Sequence, residues 1–134
     1  MIKTVDEFIT LRQSENMDEQ HRASNDTADI SVWLEVIKNY PDFKIWVIHN
    51  KTIQTEILEI LCADSDSNIR SAVARKRKIN DSIFNALSVD PDENVRYALM
   101  CNTKLTLDKI KTINVSDSTW LQNQLADIIK NASR

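Results

Sequence analysis

The sequence predicts an all-α fold: a short right-handed solenoid of about four two-helix units, each 24–26 residues long, with capping helices at both ends. Three observations carry that expectation. Asp64-Ser-Asp-Ser-Asn-Ile69-Arg70-Ser-Ala72-Val73 recurs 26 residues later as Asp90-Pro-Asp-Glu-Asn-Val95-Arg96-Tyr-Ala98-Leu99, and a unit this short must stack on a neighbour to bury its apolar face. Glycine is absent, where roughly nine would be average for this length. Within each copy the apolar residues (Ile69, Ala72, Val73; Val95, Ala98, Leu99) fall at i, i+3, i+4, the spacing of one helix face.

In chain order, Thr4-Val-Asp-Glu7 reads as a capping box opening a short helix with Val5, Phe8, Ile9 and Leu11 on its apolar side. Ser14 to Thr27 is polar, with Met17 and Ala23 its only apolar residues, and is compatible with a helix or a loose connection. From Asp29 the Val32-Trp33-Val36-Ile37 spacing restores the helical period, and the helix should stop before Pro41. In the repeats, Asp90 is expected as N-cap with Pro91 as first helical residue and Glu93 as reciprocal partner, and Asp64 as the cap of the preceding copy. Second helices are expected over Thr55–Leu61, Asp81–Leu87 and Thr106–Ile113. Leu121, Leu125, Ile128 and Ile129 mark a longer closing helix.

The repeat frays at its ends. Leu61 and Leu87 are matched by Ile113 at 26 and by Ile37 at 24, which places Trp46 in the arginine slot of the first unit. Ser116 and Gln122 fall in the corresponding slots of the last. One domain is expected, with capping helices over 1–36, repeats over 37–113 and a C-terminal cap over 114–134.

The lack of glycine excludes the dinucleotide fingerprint, the phosphate-binding P-loop and the nucleophile elbow, all of which need glycine for positive φ or close backbone approach. Cys62 and Cys101 form no Cys-x-x-Cys pair and are expected as free thiols, Cys62 packed like a small hydrophobe beside Leu61. His21 and His49, the only histidines, have no ligand partners at metal spacing, so neither a metal nor any other cofactor is expected. Trp33, Trp46 and Trp120 sit among Val and Ile and are expected in the core or caps. No apolar leader or membrane-length run is present, and a cytoplasmic protein without a membrane partner is expected.

The string Leu61-x-x-Asp64-x-Asp-x-x-Ile69-Arg70-x-Ala72-Val73-Ala74, followed by Ile79-x-x-x-Ile83-Phe84, resembles the leucine-rich repeat variant family and, more broadly, HEAT-like repeats. The resemblance covers roughly residues 37–113 and implies a generic binding scaffold. Some proteins of that family are associated with an iron–sulfur cluster held by clustered cysteines, which this chain lacks.

The net charge is −3, unevenly laid out: residues 1–29 carry seven acids against three bases, whereas Arg70 to Lys78 holds five bases and no acid. The run Arg75-Lys76-Arg77-Lys78 lies between two expected helices, with Lys104 near the corresponding turn one repeat later. Tyr97, opposite the Val95-Ala98-Leu99 face, is expected to form an outer column with Ser71 and Val47. The recurrent Asp64/Arg70 and Asp90/Arg96 read as caps and as a salt-bridge ladder linking each unit to its neighbour, not as catalytic groups. Together these readings describe a non-catalytic module that binds another protein through Arg75, Lys76, Arg77, Lys78, Tyr97 and Lys104. Its most concrete form is a bacterial immunity-type protein that occludes a toxin. A nucleic-acid binder similar in style to HEAT-like DNA glycosylases is the alternative.

Overall fold

Asp64 and Asp66, and 26 residues later Asp90 and Asp92, show how this chain starts its helices. The first aspartate of each pair accepts the backbone N–H of the second, at 2.9 Å in both copies. The second is the true N-cap: Asp66 accepts from Asn68 N and opens α6 (Ser67–Ala74), and Asp92 accepts from Asn94 N and opens α8 (Glu93–Met100). The caps therefore lie two residues beyond Asp64 and Asp90, where the sequence pattern placed them, and Pro91 stands outside the helix. The reason is that the carboxylate of Asp90 already closes a turn and binds an arginine.

The computed structural model describes residues 1–132, and among these every helix is α apart from one 3-10 turn at Pro41–Phe43. The chain divides into two compact units, Met1–Ile60 and Leu61–Arg134.

In the first unit, α1 (Val5–Gln13) and α2 (Met17–Asn25) precede α3 (Ile30–Asn39), α4 (Lys44–His49) and α5 (Thr55–Leu61). Thr4 accepts the N–H of Glu7, but the Glu7 carboxylate reaches Lys3 N at 3.5 Å and pairs with Arg22, so only the forward half of the capping box forms. The polar stretch after Ser14 is helical. Asn16 caps it through Asp18 and Glu19 N–H groups, and Ala23 is its one buried residue. Arg22 bridges Glu7 and Asp26, so a helix without an apolar face is held by charge and by backbone contacts. Asp29 caps α3, which ends before Pro41 as expected. Phe8 and Trp33, both fully buried, meet edge to face at 5.1 Å and form the centre of this core.

In the second unit α6 packs on α8, with α7 (Asp81–Leu87) between them in sequence and α9 (Leu107–Ile110) and α10 (Thr119–Ala132) after them. α9 is one turn, shorter than the expected Thr106–Ile113, with Thr106 as its cap. On α10 only Leu121 is fully buried, while Leu125, Ile128 and Ile129 are half-buried, so its apolar face is less covered than the spacing suggested.

Burial also corrects the register of the first repeat. Val47, Val73 and Leu99 are all fully buried, as are Ile48, Ala74 and Met100, and both sets are spaced by 26. At that spacing Lys44, not Trp46, falls in the slot of Arg70 and Arg96. Val47 consequently belongs to the core and not to an outer column with Ser71 and Tyr97.

Two buried asparagines were not singled out by the sequence pattern. Asn50, wholly buried, donates to the carbonyls of Ala23 (2.9 Å) and Asp26 (3.0 Å) and accepts from Thr52 N. Asn102 repeats the arrangement in the second unit, donating to Ala74 O (2.9 Å) and Lys76 O (2.8 Å) and accepting from Lys104 N. Each amide donates to two carbonyls at a helix C-terminus, where backbone acceptors lack intrahelical partners.

Candidate interaction surface

The run Arg75–Lys78 is the turn between α6 and α7, and its shape is set by its neighbours. Arg75 N and Lys76 N donate back to Ala72 O and Val73 O, ending α6. The Asn102 amide then takes Ala74 O and Lys76 O, clamping the turn from the segment that follows α8. Because Lys104 N is bound to the same asparagine, the structure brings the Lys104 backbone beside the basic turn, as its place in the repeat suggested.

The four bases are not equivalent. Arg75, Arg77 and Lys78 are exposed, whereas Lys76 is half-buried. Burial, and then the nearby charge of Lys78, lowers the Lys76 pKa below the ordinary lysine value. The folded chain therefore loses this proton at lower pH than the unfolded chain. The charged form carries a stability penalty below the folded pKa, which is relieved as pH rises through the interval between the two values. Lys76→Met should accordingly leave the melting temperature at neutral pH unchanged or raised, and thermal melts across alkaline pH should show the wild type closing the gap. A lower melting temperature for the variant would show that the ammonium is stabilising.

From Ser67 to Asn80 there is no acid. The first that follows, Asp81, is paired with Lys109, which holds its carboxyl below the usual range. The field of the basic turn is thus not cancelled by that neighbour. Lys109 also lies 5.1 Å from the centre of the Phe84 ring.

Tyr97 is half-buried against Trp120, ring centres 4.9 Å apart, and Trp120 remains 38% exposed. Trp120 is therefore part of a surface, whereas Trp33 is core. The Tyr97 hydroxyl is pushed up in pKa, chiefly by its hydrogen bond with Cys101, one helical turn on, while Arg75 acts in the opposite direction. Cys101 is exposed, and Cys62, expected to pack like a small hydrophobe, is half-buried. Arg75, Tyr97, Cys101 and Trp120 so form one neighbourhood. Tyr97 and Cys101 at i, i+4 was the readable signal for part of it; the contribution of Trp120 from α10 was not.

The two recurrent arginines, Arg70 and Arg96, are both engaged in ion pairs. Arg70 donates to both carboxylate oxygens of Asp90 (2.8 and 3.2 Å) and to the carbonyls of Asp64 and Ser65. Arg96, almost wholly buried, donates to Asp117 (2.7 and 3.1 Å) and Asn114 O. Each arginine thus grips the acid that follows it by 20 or 21 residues, not the one preceding it in its own copy. Asp117 takes the acidic role where Ser116 was aligned, with its carboxyl held low by Arg96.

Among the described residues no three His, Cys, Asp or Glu side chains gather as a metal site, and no helix is long and apolar enough to cross a membrane. No protein-family model, curated protein or solved structure matches the chain.

Proposed function

We propose that this chain is a non-catalytic helical-repeat module, a right-handed solenoid of the HEAT-like kind, that binds another protein. The single observation carrying the reading is the exposed Arg75, Arg77 and Lys78 beside the Tyr97–Trp120 pair, on a turn held by Asn102. A rigid aromatic pair supplies contact area at low entropic cost, and flanking cations steer an acidic partner and set its register. The matched burial and asparagine contacts at multiples of 26 residues support the repeat architecture. In its most concrete form the protein is a bacterial immunity-type protein that neutralises a toxin by covering it.

The same turn supports one other reading, nucleic-acid binding, because cations flanking an exposed tryptophan also suit phosphates and bases. A tagged pull-down, split into nuclease-treated and untreated halves, separates the two. A protein retained in near-stoichiometric amount after nuclease treatment is the expected result, and its toxicity when expressed alone would identify the immunity role. Ultraviolet-absorbing material that vanishes with nuclease would replace the protein-binding reading with the nucleic-acid one. With the partner in hand, Arg77→Glu combined with Lys78→Glu should slow association about tenfold at low salt. An unchanged rate would remove the basic turn from the interface.

A further inference from the structure

Outside the surface just described, the first unit carries a cleft of about 350 Å3 whose titratable lining is entirely basic. Arg12 comes from α1, His21 from α2, Trp46 and His49 from α4, and Lys51 from the segment after it. This is unexpected in the most acidic part of the chain, where residues 1–29 carry seven acids. The carboxylates of α2, Asp18 and Glu19, line none of it.

The cleft exists because α2 has almost no apolar face to press against α4. Met17, Gln20, His21, Ser24 and Asn25 fall at i, i+3, i+4, i+7, i+8 and make one stripe that is polar after Met17. The two walls are nonetheless fixed. Asn50 joins the end of α4 to Ala23 and Asp26, and Lys51 N donates to Ser24 O at 2.8 Å. At its edge the Arg12 guanidinium stacks 3.6 Å from the centre of the Trp46 ring, and Trp46 remains 37% exposed.

We propose that this cleft binds a mononucleotide-class ligand, one phosphate joined to one planar ring. Arg12 and Lys51 supply the charge, the guanidinium fork matching phosphate oxygens. His21 and His49 add ring N–H donors. Arg12 covers one face of Trp46 and the His49 ring lies 5.6 Å from its centre, so a flat heterocycle would extend this cluster by stacking on the outer face of the guanidinium or the exposed part of the indole. The volume lies in the range of small-ligand sites and holds one nucleotide, not a folded partner. This proposal is independent of the partner assigned to the basic turn.

The test is titration of the isotope-labelled full chain with AMP, followed by nuclear magnetic resonance, with inorganic phosphate and adenosine as separate arms. Saturable shifts are expected at the Trp46 indole N–H and at the amides of Arg12, His21 and Lys51, with each half-ligand weaker than AMP. Arg12→Gln and Trp46→Leu, confirmed as folded by circular dichroism, should each weaken AMP about tenfold, the scale of one lost stacking or charge contact. Three outcomes overturn the proposal: no saturable shift at millimolar AMP, shifts confined to residues 75–78, or folded variants that bind like the wild type. The wild-type map alone decides between the first two and the proposal, should either variant fail to fold.

Discussion

Replacing Arg70 with alanine should destabilise the protein by about 4 kcal/mol, a fall in melting temperature on the order of 10 °C for a chain of this length. The size follows from what the guanidinium leaves behind. Asp90 has only 5% of its side chain exposed, and its one other side-chain contact shown is the N–H of Asp92. Loss of Arg70 strands that carboxylate in a desolvated place and also removes the donor to Asp64 O and Ser65 O. The attraction of the pair is itself largely offset by desolvation, so the loss reflects an uncompensated charge more than a lost bond. Asp42, exposed in the 3-10 turn, is the control, and Asp42→Ala should change stability by no more than about 0.5 kcal/mol. Arg70→Lys should fall between them, because an ammonium cannot bridge two carboxylate oxygens and two carbonyls at once. Thermal melts of the three variants decide the matter: equal, small shifts would mean that the Arg70–Asp90 contact contributes nothing.

Asn102→Ala should cost about 3 kcal/mol, since each buried polar group left without a partner costs about 1–3 kcal/mol. Three groups lose the asparagine at once: the carbonyls of Ala74 and Lys76 and the N–H of Lys104. Some of that cost is recovered if the turn opens to water. The basic turn, not the α6–α8 core, should therefore show the change, and amide hydrogen exchange should rise at residues 75–78 while Val73 and Leu99, both fully buried, stay protected. Because the same amide shapes the proposed binding surface, association with the partner should weaken even though Asn102 is 4% exposed and touches nothing outside. A variant with native stability and native exchange at 75–78 would show that water replaces the asparagine without cost.

The helices were readable because they rest on local chemistry. Apolar spacing at i, i+3, i+4 fixes which face of α6 and α8 turns inward, and the aspartate pairs announce helix starts to within two residues. The position of the basic turn between α6 and α7 was likewise visible, since the run of bases follows directly on Ala74. What remained illegible depended on partners distant in the chain. Recurrence of the Asp and Arg pair suggested a ladder between neighbouring units, as Arg70 and Asp90 form it, but with Ser116 in the aligned slot only the packed backbone shows that Arg96 reaches Asp117. Nothing local separates Trp33 in the core from Trp120 at the surface, because both sit at helical positions beside aliphatic residues.

Composition and periodicity thus determine that this protein is helical, that it can hold no glycine-dependent phosphate loop, and that four of its seventeen Lys and Arg residues run together in one turn, because each follows from residue identity within about one helical turn. Tertiary structure alone decides the rest: that Asn102 clamps the turn, that Trp120 joins Tyr97, and that a polar stripe on α2 leaves a basic cleft beside Trp46. Buried hydrogen bonds and shared surfaces are made between segments some 20–30 residues apart, and the cost of an unpaired buried group, which selects them, exists only once those segments have come together.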